Sequence, residues 1–279
     1  MRRPRLSWFG PIALAAACLG ACQSFPDPPV SFVQGLRVLG IKAEPPEVPA
    51  GATSDFTTLA VDTAGNAIAA TWTECFVAPL PGQTVNPDCL TMLSSSNSQA
   101  IGNGLDITVT MPQVTAESLG APDATGGVYF PFVAQVSSGA DEVLPVYRLR
   151  LAEGGSVNHN PAILSLSNTD SSGTTTPLDP QNPTPVTTGQ KLSLSVTTAP
   201  GSAESYVRTD GTNVTEVVTT SWFCTAGELS FEKTSDAQPQ TVLSLDQRLP
   251  PAGSTIDLWA VARDDRGGTD YTHRVLSLQ

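Results

Sequence analysis

The chain has 279 residues, of which only 14% are charged, and its formal net charge is -12. That length suits one large domain or two small ones. The acidic balance repels phosphates and anionic headgroups, which excludes polybasic membrane attachment and disfavours nucleic acid as a partner.

The first residues follow the order of an export leader: basic, then apolar, then small. Arg2, Arg3 and Arg5 supply the charge, and an apolar run extends from Trp8 to Leu19. The run is too short to cross a bilayer as a helix, which takes roughly 20 apolar residues. It closes in Leu19-Gly20-Ala21-Cys22, which resembles the lipobox where bacterial lipoproteins are cut and lipidated. The resemblance makes residues 1–21 a signal peptide and Cys22 the lipidated first residue of the mature chain, with palmitate among three acyl chains. One acyl chain binds a membrane marginally, each buried methylene adding about 0.8 kcal/mol, so three make attachment effectively permanent. Gln23 stands where Asp would mark inner-membrane retention, which by the same resemblance implies the outer membrane, facing the periplasm or the cell surface. The alternative is an ordinary secretory signal with Cys22 incidental. Cys18 lacks a Leu three places before it and is read as leader.

Residues 22–35 form a Pro-rich, extended tether. Beyond it the expected strands are Leu36 to Ala43, ended by Pro45-Pro46, then Asp55 to Val61 and Ala67 to Cys75. A long loop rich in Pro, Ser and Asn runs to about Gly104, followed by strands at Leu105 to Met111 and Val128 to Val136. From Val143 to Leu151, Tyr147, Leu149 and Leu151 alternate with Arg148 and Arg150, the period of two of a half-buried strand. Abundant Ser, Thr, Gly and Pro with little Lys also suit an all-β secreted chain. No mature stretch carries a convincing apolar period of 3.6.

The pattern restarts at Asn158-His159-Asn160-Pro161. Strands are expected at Ala162 to Ser167, around Leu192 to Val196, into Ser221-Trp222-Phe223-Cys224, and at Thr241 to Leu245, Thr255 to Arg263 and Tyr271 to Leu278. The halves look like copies. Thr71-Trp72-Thr73-Glu74-Cys75 matches Ser221-Trp222-Phe223-Cys224, and the closing hairpins, Phe132 to Leu151 and Trp259 to Leu278, align without a gap. A Trp in a central strand is the usual core pin of a sandwich of roughly 100 residues. The fold class is therefore all-β, as two tandem immunoglobulin-like sandwiches, residues 36–157 and 158–279. The Trp-bearing strand and the late Asp264-Asp265-Arg266-Gly267-Gly268 resemble PKD-type and bacterial immunoglobulin-like domains, the second copy most closely.

Cys75 and Cys89 share one domain, and outside the cytoplasm such a pair tends to oxidise, closing the loop between them. Two buried free thiols are the alternative. Cys224 beside a core Trp reads as a small buried hydrophobe, with a bridge to the first domain as the other possibility. The two histidines, His159 in the linker and His273 in the last strand, are isolated in sequence, so neither a hydrolytic triad nor a zinc site is expected. The one acidic constellation is Asp264, Asp265 and Asp270. These are candidate calcium ligands, but three carboxylates fall short of six oxygens. The favoured reading is a hairpin turn whose Asp residues cap its own amides, with Arg266 as neutralising partner.

These features lead us to expect a non-catalytic, lipid-anchored envelope protein, needing no cofactor, that binds or spaces a partner. Its partners would be the membrane, through the anchor, and another envelope protein or a glycan. Recognition is expected at the loops of the sandwich ends, above all between Pro79 and Gly104. A surface adhesin for carbohydrate or peptide and a hydrolase on a β-scaffold are the rival readings.

Overall fold

A computed structural model of the protein describes residues 29–77, 86–91, 98–154 and 157–279. The leader, Cys22 and the start of the tether lie outside the described residues, as does half of the loop from Pro79 to Gly104. Ser31–Gln279 is one compact unit.

The first sandwich is built from β1 (Leu36–Glu44), β2 (Glu47–Val48), β3 (Thr53–Asp62), β4 (Ile68–Cys75), β5 (Ser98–Asn103), β6 (Asp106–Thr110), β7 (Tyr129–Ser138), β8 (Asp141–Val143) and β9 (Val146–Leu151). Two short helices, α1 (Pro87–Thr91) and α2 (Ala116–Leu119), interrupt the strands. One sheet runs β1-β3-β6 and the other β2-β9-β7-β4-β5, with β8 on β7. Pro45, which has no N–H to continue a ladder, lies between β1 and β2, where the chain changes sheets.

The second sandwich comprises β10 (Ile163–Thr169), β11 (Thr175–Pro177), β12 (Thr184–Val186), β13 (Lys191–Thr198), β14 (Ser205–Val207), β15 (Asn213–Thr215), β16 (Thr219–Cys224), β17 (Glu228–Leu229), β18 (Lys233–Ser235), β19 (Gln240–Ser244), β20 (Thr255–Arg263) and β21 (Thr269–Leu278). Its sheets run β11-β10-β13-β19-β17 and β12-β21-β20-β16-β18, with the β14-β15 hairpin apart. The topology repeats that of the first. In each copy a short strand runs parallel to the last one, Val48 beside Leu151 and Val186 beside Leu278. The fold is all-β, two immunoglobulin-like sandwiches.

The copies differ by one residue in the closing hairpin. Trp72 faces Ala134 and Trp222 faces Ala260, so the counterpart of Phe132 is Leu258 and not Trp259. A gapless alignment puts Trp259 in the core, whereas it faces outward. The reason is strand parity: shifting by one residue moves every side chain to the opposite face.

In the first core Phe56 meets Trp72, Phe132 and Tyr147 edge-on, at centroid distances of 5.4, 5.2 and 4.8 Å. Trp72 Nε1 donates to the Gly104 carbonyl at 3.1 Å. In the second, Trp222 packs among Leu166, Leu194, Leu243 and Leu276 and donates to Thr234 Oγ1 at 2.8 Å. Both indoles are fully buried with their one polar atom satisfied, the condition under which a core Trp is stabilising.

Three expectations are corrected. The long loop contains α1 and β5, and β5 pairs with β4 along its length. The stretch Val143 to Leu151 is two strands, β8 and β9. The tether does not hang free as far as residue 35: Ser31 to Val33 pair in parallel with the end of β16, Val33 donating to the Cys224 carbonyl at 2.8 Å.

Candidate functional site

The outward face of β20 packs against the first sandwich. Trp259 and Val261 are buried with Val33 and Leu39, and Leu59, Val61, Phe223 and Tyr271 pack around them. Gly40 permits the approach, because a Cβ there would stand 3.1 Å from Val261 Cγ1. β20 is thus covered on both sides, by its own core and by the neighbouring sandwich.

Beside this apolar contact the Asn158-His159-Asn160 linker binds both sandwiches. The Asn158 amide donates to Glu47 Oε2 at 2.9 Å, and Arg150 Nε lies 3.3 Å from the same carboxylate. Asn160 Nδ2 donates to the Ala43 carbonyl at 2.6 Å and to Glu44 at 2.9 Å, while its Oδ1 accepts from the Thr269 amide at 2.8 Å. Tyr147 reaches from the first core to donate its hydroxyl to the Gly267 carbonyl at 3.4 Å, and burial raises its pKa. The linker is a polar clasp.

The three calcium candidates point to different partners. Asp264 accepts from the Arg266 and Gly268 amides at 2.9 and 2.8 Å, so it caps its own turn. Burial nevertheless holds its carboxyl above the usual range, against the pull of those amides. Asp265 accepts from the Tyr206 hydroxyl at 2.8 Å. Asp270 takes Lys42 Nζ at 3.0 Å and the Ile163 amide at 2.8 Å. Among the described residues no group of three or more His, Cys, Asp or Glu is placed to hold a metal ion. The guanidinium of Arg266 pairs with Glu216 and Glu204 rather than neutralising only its own turn. Burial lifts the Glu216 carboxyl above its ordinary value despite that partner.

Each histidine has an acid beside it, which the sequence separation hid. His159 Nδ1 lies 2.6 Å from Glu204. His273 Nε2 lies 2.7 Å from Asp257, with its ring stacked 5.1 Å from that of Trp259. No described hydroxyl or thiol bonds the other ring nitrogen of either. Cys75 and Cys89 are joined in a disulfide, which with Val77 and Val146 covers the outer side of Val133. Cys224 is a free, buried thiol whose pKa burial pushes up to about 12, so it is neither bridged nor nucleophilic.

An open cleft of about 510 Å³ lies next to the clasp, between the first sandwich and the β20-β21 turn. Its lining includes Val38, Tyr129, Val146, Arg148, Arg263 and Gly267. The sequence marked the alternation of β9 but not that its outward residues border a second domain. The readable sign was the run Ile256 to Ala262, too apolar for a strand with one face in water.

No protein-family model matches the chain, and no curated protein matches it. Among solved structures it is similar to the three N-terminal domains of the highly immunogenic outer capsid protein of bacteriophage RB49, 10% identical over 88% of this chain and 70% of that one, with a TM-score of 0.23. It is also similar to the N-terminal Ig1-2 module of the Drosophila receptor protein tyrosine phosphatase DLAR, 13% identical over 88% of this chain and all 100% of that one, TM-score 0.25. A Salmonella alpha-2-macroglobulin is 10% identical over 88% of this chain but only 17% of its own length, TM-score 0.25. The fold assignment rests on the sheet topology described above and not on these likenesses.

Proposed function

We propose that the protein is a non-catalytic, lipid-anchored module of the bacterial outer membrane that binds a partner or holds it at a distance. The observation that carries this reading is the joining of the two sandwiches. Trp259 and Val261 are buried against the first sandwich and the clasp at Asn158 and Asn160 crosses the same boundary, so the pair can act as one stiff element. Stiffness is what a spacer needs, and loops or clefts on a rigid scaffold are where recognition usually resides. The leader and Cys22 support attachment through three acyl chains. Another envelope protein is the partner this reading favours. Immunoglobulin-like folds host many functions, so the site and the anchor carry the proposal and the fold does not.

The test is detergent partitioning and intact mass of the wild-type chain and Cys22→Ser, both expressed in a bacterial host. The expected result is a triacylated chain beginning at Cys22 that enters detergent, and a mutant that does not. Wild-type protein that stays in the aqueous phase, cut at another position, would remove the anchor from the proposal.

A further inference from the structure

We propose that the cleft between the sandwiches is a strand-addition site for an extended, acidic peptide segment of a partner protein. The inference rests on the binding-module reading and gives it a place and a chemistry.

The first ground is backbone parity along β9. Ala134 donates to the Pro145 carbonyl at 3.0 Å and Leu151 to the Val128 carbonyl at 2.9 Å, so the odd-numbered residues of this strand address β7 and its extension. Ala152 donates to the Val48 carbonyl at 2.9 Å, so the even-numbered ones address the opposite side, where β2 lies. But β2 covers β9 only at Arg150 and Leu151. The N–H and C=O groups of Val146 and Arg148 therefore point past the end of β2, on the stretch of strand that lines the cleft. No described strand pairs with them there. Across the cleft, Val38 to Ile41 belong to β1, whose one strand neighbour among the described residues is β3. A row of unpaired strand groups facing a space of this size is a template for an added strand.

The second ground is which polar capacity in the cleft is already used. Asp123 accepts from the Thr125 amide and hydroxyl and the Gly127 amide, at 2.8, 2.7 and 3.1 Å. Asp264 accepts from two amides of its own turn and Asp265 from the Tyr206 hydroxyl. The arginines differ. The Arg148 guanidinium carbon sits over the Tyr129 ring, 4.6 Å from its centroid, and the side chain has no ion pair among the described residues. Arg263 donates to the Leu39 carbonyl at 2.7 Å and to Ser221 Oγ at 3.4 Å, likewise without a carboxylate. What the cleft still offers is guanidinium N–H, held in place by an aromatic ring and a backbone carbonyl. A carboxylate complements it, because its two oxygens match the fork of a guanidinium. Backbone pairing would give such a segment its direction, and an acidic side chain its register.

The measurement is fluorescence anisotropy on the full-length chain in detergent. The probe is a fluorescein-labelled heptapeptide of alternating Thr and Val with a central Glu, and the control replaces that Glu by Gln. The Glu probe should bind about tenfold tighter than the Gln probe, the size of one charge-assisted hydrogen bond. Arg148→Gln should abolish the preference. Val146→Pro should weaken both probes, because it removes an outward N–H while leaving the side of β9 that faces β7 intact. Amide hydrogen exchange on the wild type decides independently of any variant's folding. Val146 and Arg148 should exchange fast in the free protein and slowly with the Glu probe bound. Slow exchange in the free protein, equal binding of both probes, or a preference that survives Arg148→Gln would each overturn the proposal. So would protection of these amides by a uronate oligosaccharide and not by the peptide. A triacylated chain that ignores both probes loses the cleft assignment and keeps the anchored module.

Discussion

Val33 donates its amide to the carbonyl of Cys224 at 2.8 Å, and the Cys224 amide returns the bond to the Ser31 carbonyl at 2.9 Å. The chain therefore joins the edge of the second sandwich before it builds the first. Val33→Pro removes the donor and leaves a buried carbonyl unpaired, a loss of about 1–3 kcal/mol. Urea unfolding followed by Trp fluorescence should register it as a lower midpoint.

Arg266 neutralises Glu216 in a place where neither side chain meets solvent. Arg266→Gln leaves that carboxylate uncompensated and should cost about 3–5 kcal/mol at neutral pH. The sign with pH follows from Glu216, whose folded pKa already lies above its ordinary 4.5 through burial and rises further without its partner. A group of that kind contributes stability fully below its unfolded pKa and loses it as the pH rises through the folded value. The melting deficit of the variant should therefore be largest near pH 7 and shrink as the pH falls towards 4.5. A deficit constant across that range would show that the arginine acts only through packing.

Thiol chemistry separates the three described cysteines. In the native protein a thiol reagent should find nothing, since Cys75 and Cys89 are bridged and Cys224 is buried. Denaturation without reductant should release the Cys224 thiol alone from among these three. Cys75→Ser should lower stability by about 3 kcal/mol, because the bridge closes a sequence separation of 14 residues. The same change should admit protease between β4 and β5.

Gly40 tests whether the sandwiches unfold together. Gly40→Leu would force a side chain into the space now filled by Val261, and overpacking of this kind costs about 1–3 kcal/mol. The wild type is expected to melt in one calorimetric transition, and the variant in two. A variant that still melts once would mean that the Asn158 clasp suffices to couple the halves.

Much of the architecture was legible because strands half in water announce themselves by alternation. Leu192, Leu194 and Val196 did so, and the two Trp-bearing strands fixed both cores. The closing hairpins invite a gapless alignment that is one residue out of register, because Phe132 and Trp259, both large aromatics, suggest themselves as equivalents. Only the partners of Trp72 and Trp222 reveal that they are not. β5 leaves no mark in the sequence because Ser98, Gln99, Gly102 and Asn103 carry little apolar signal and are held by β4. The clasp was invisible for a different reason. Its bonds join residues far apart in sequence, such as Glu47 with Asn158 and Asn160 with Ala43, and local pattern carries no trace of them.

The pairing of Ser31 to Val33 with Cys224 also orders events in time. This segment leaves the ribosome before the first sandwich is made, and its partner strand is not synthesised until most of the chain exists. Contacts of such separation form late, after the intervening chain has lost its freedom. Until then Leu39 and its neighbours present an apolar surface that belongs to an interface not yet in being. A newly made first sandwich is thus a sticky intermediate, and the demand for a chaperone falls in the interval before β16 and β20 arrive.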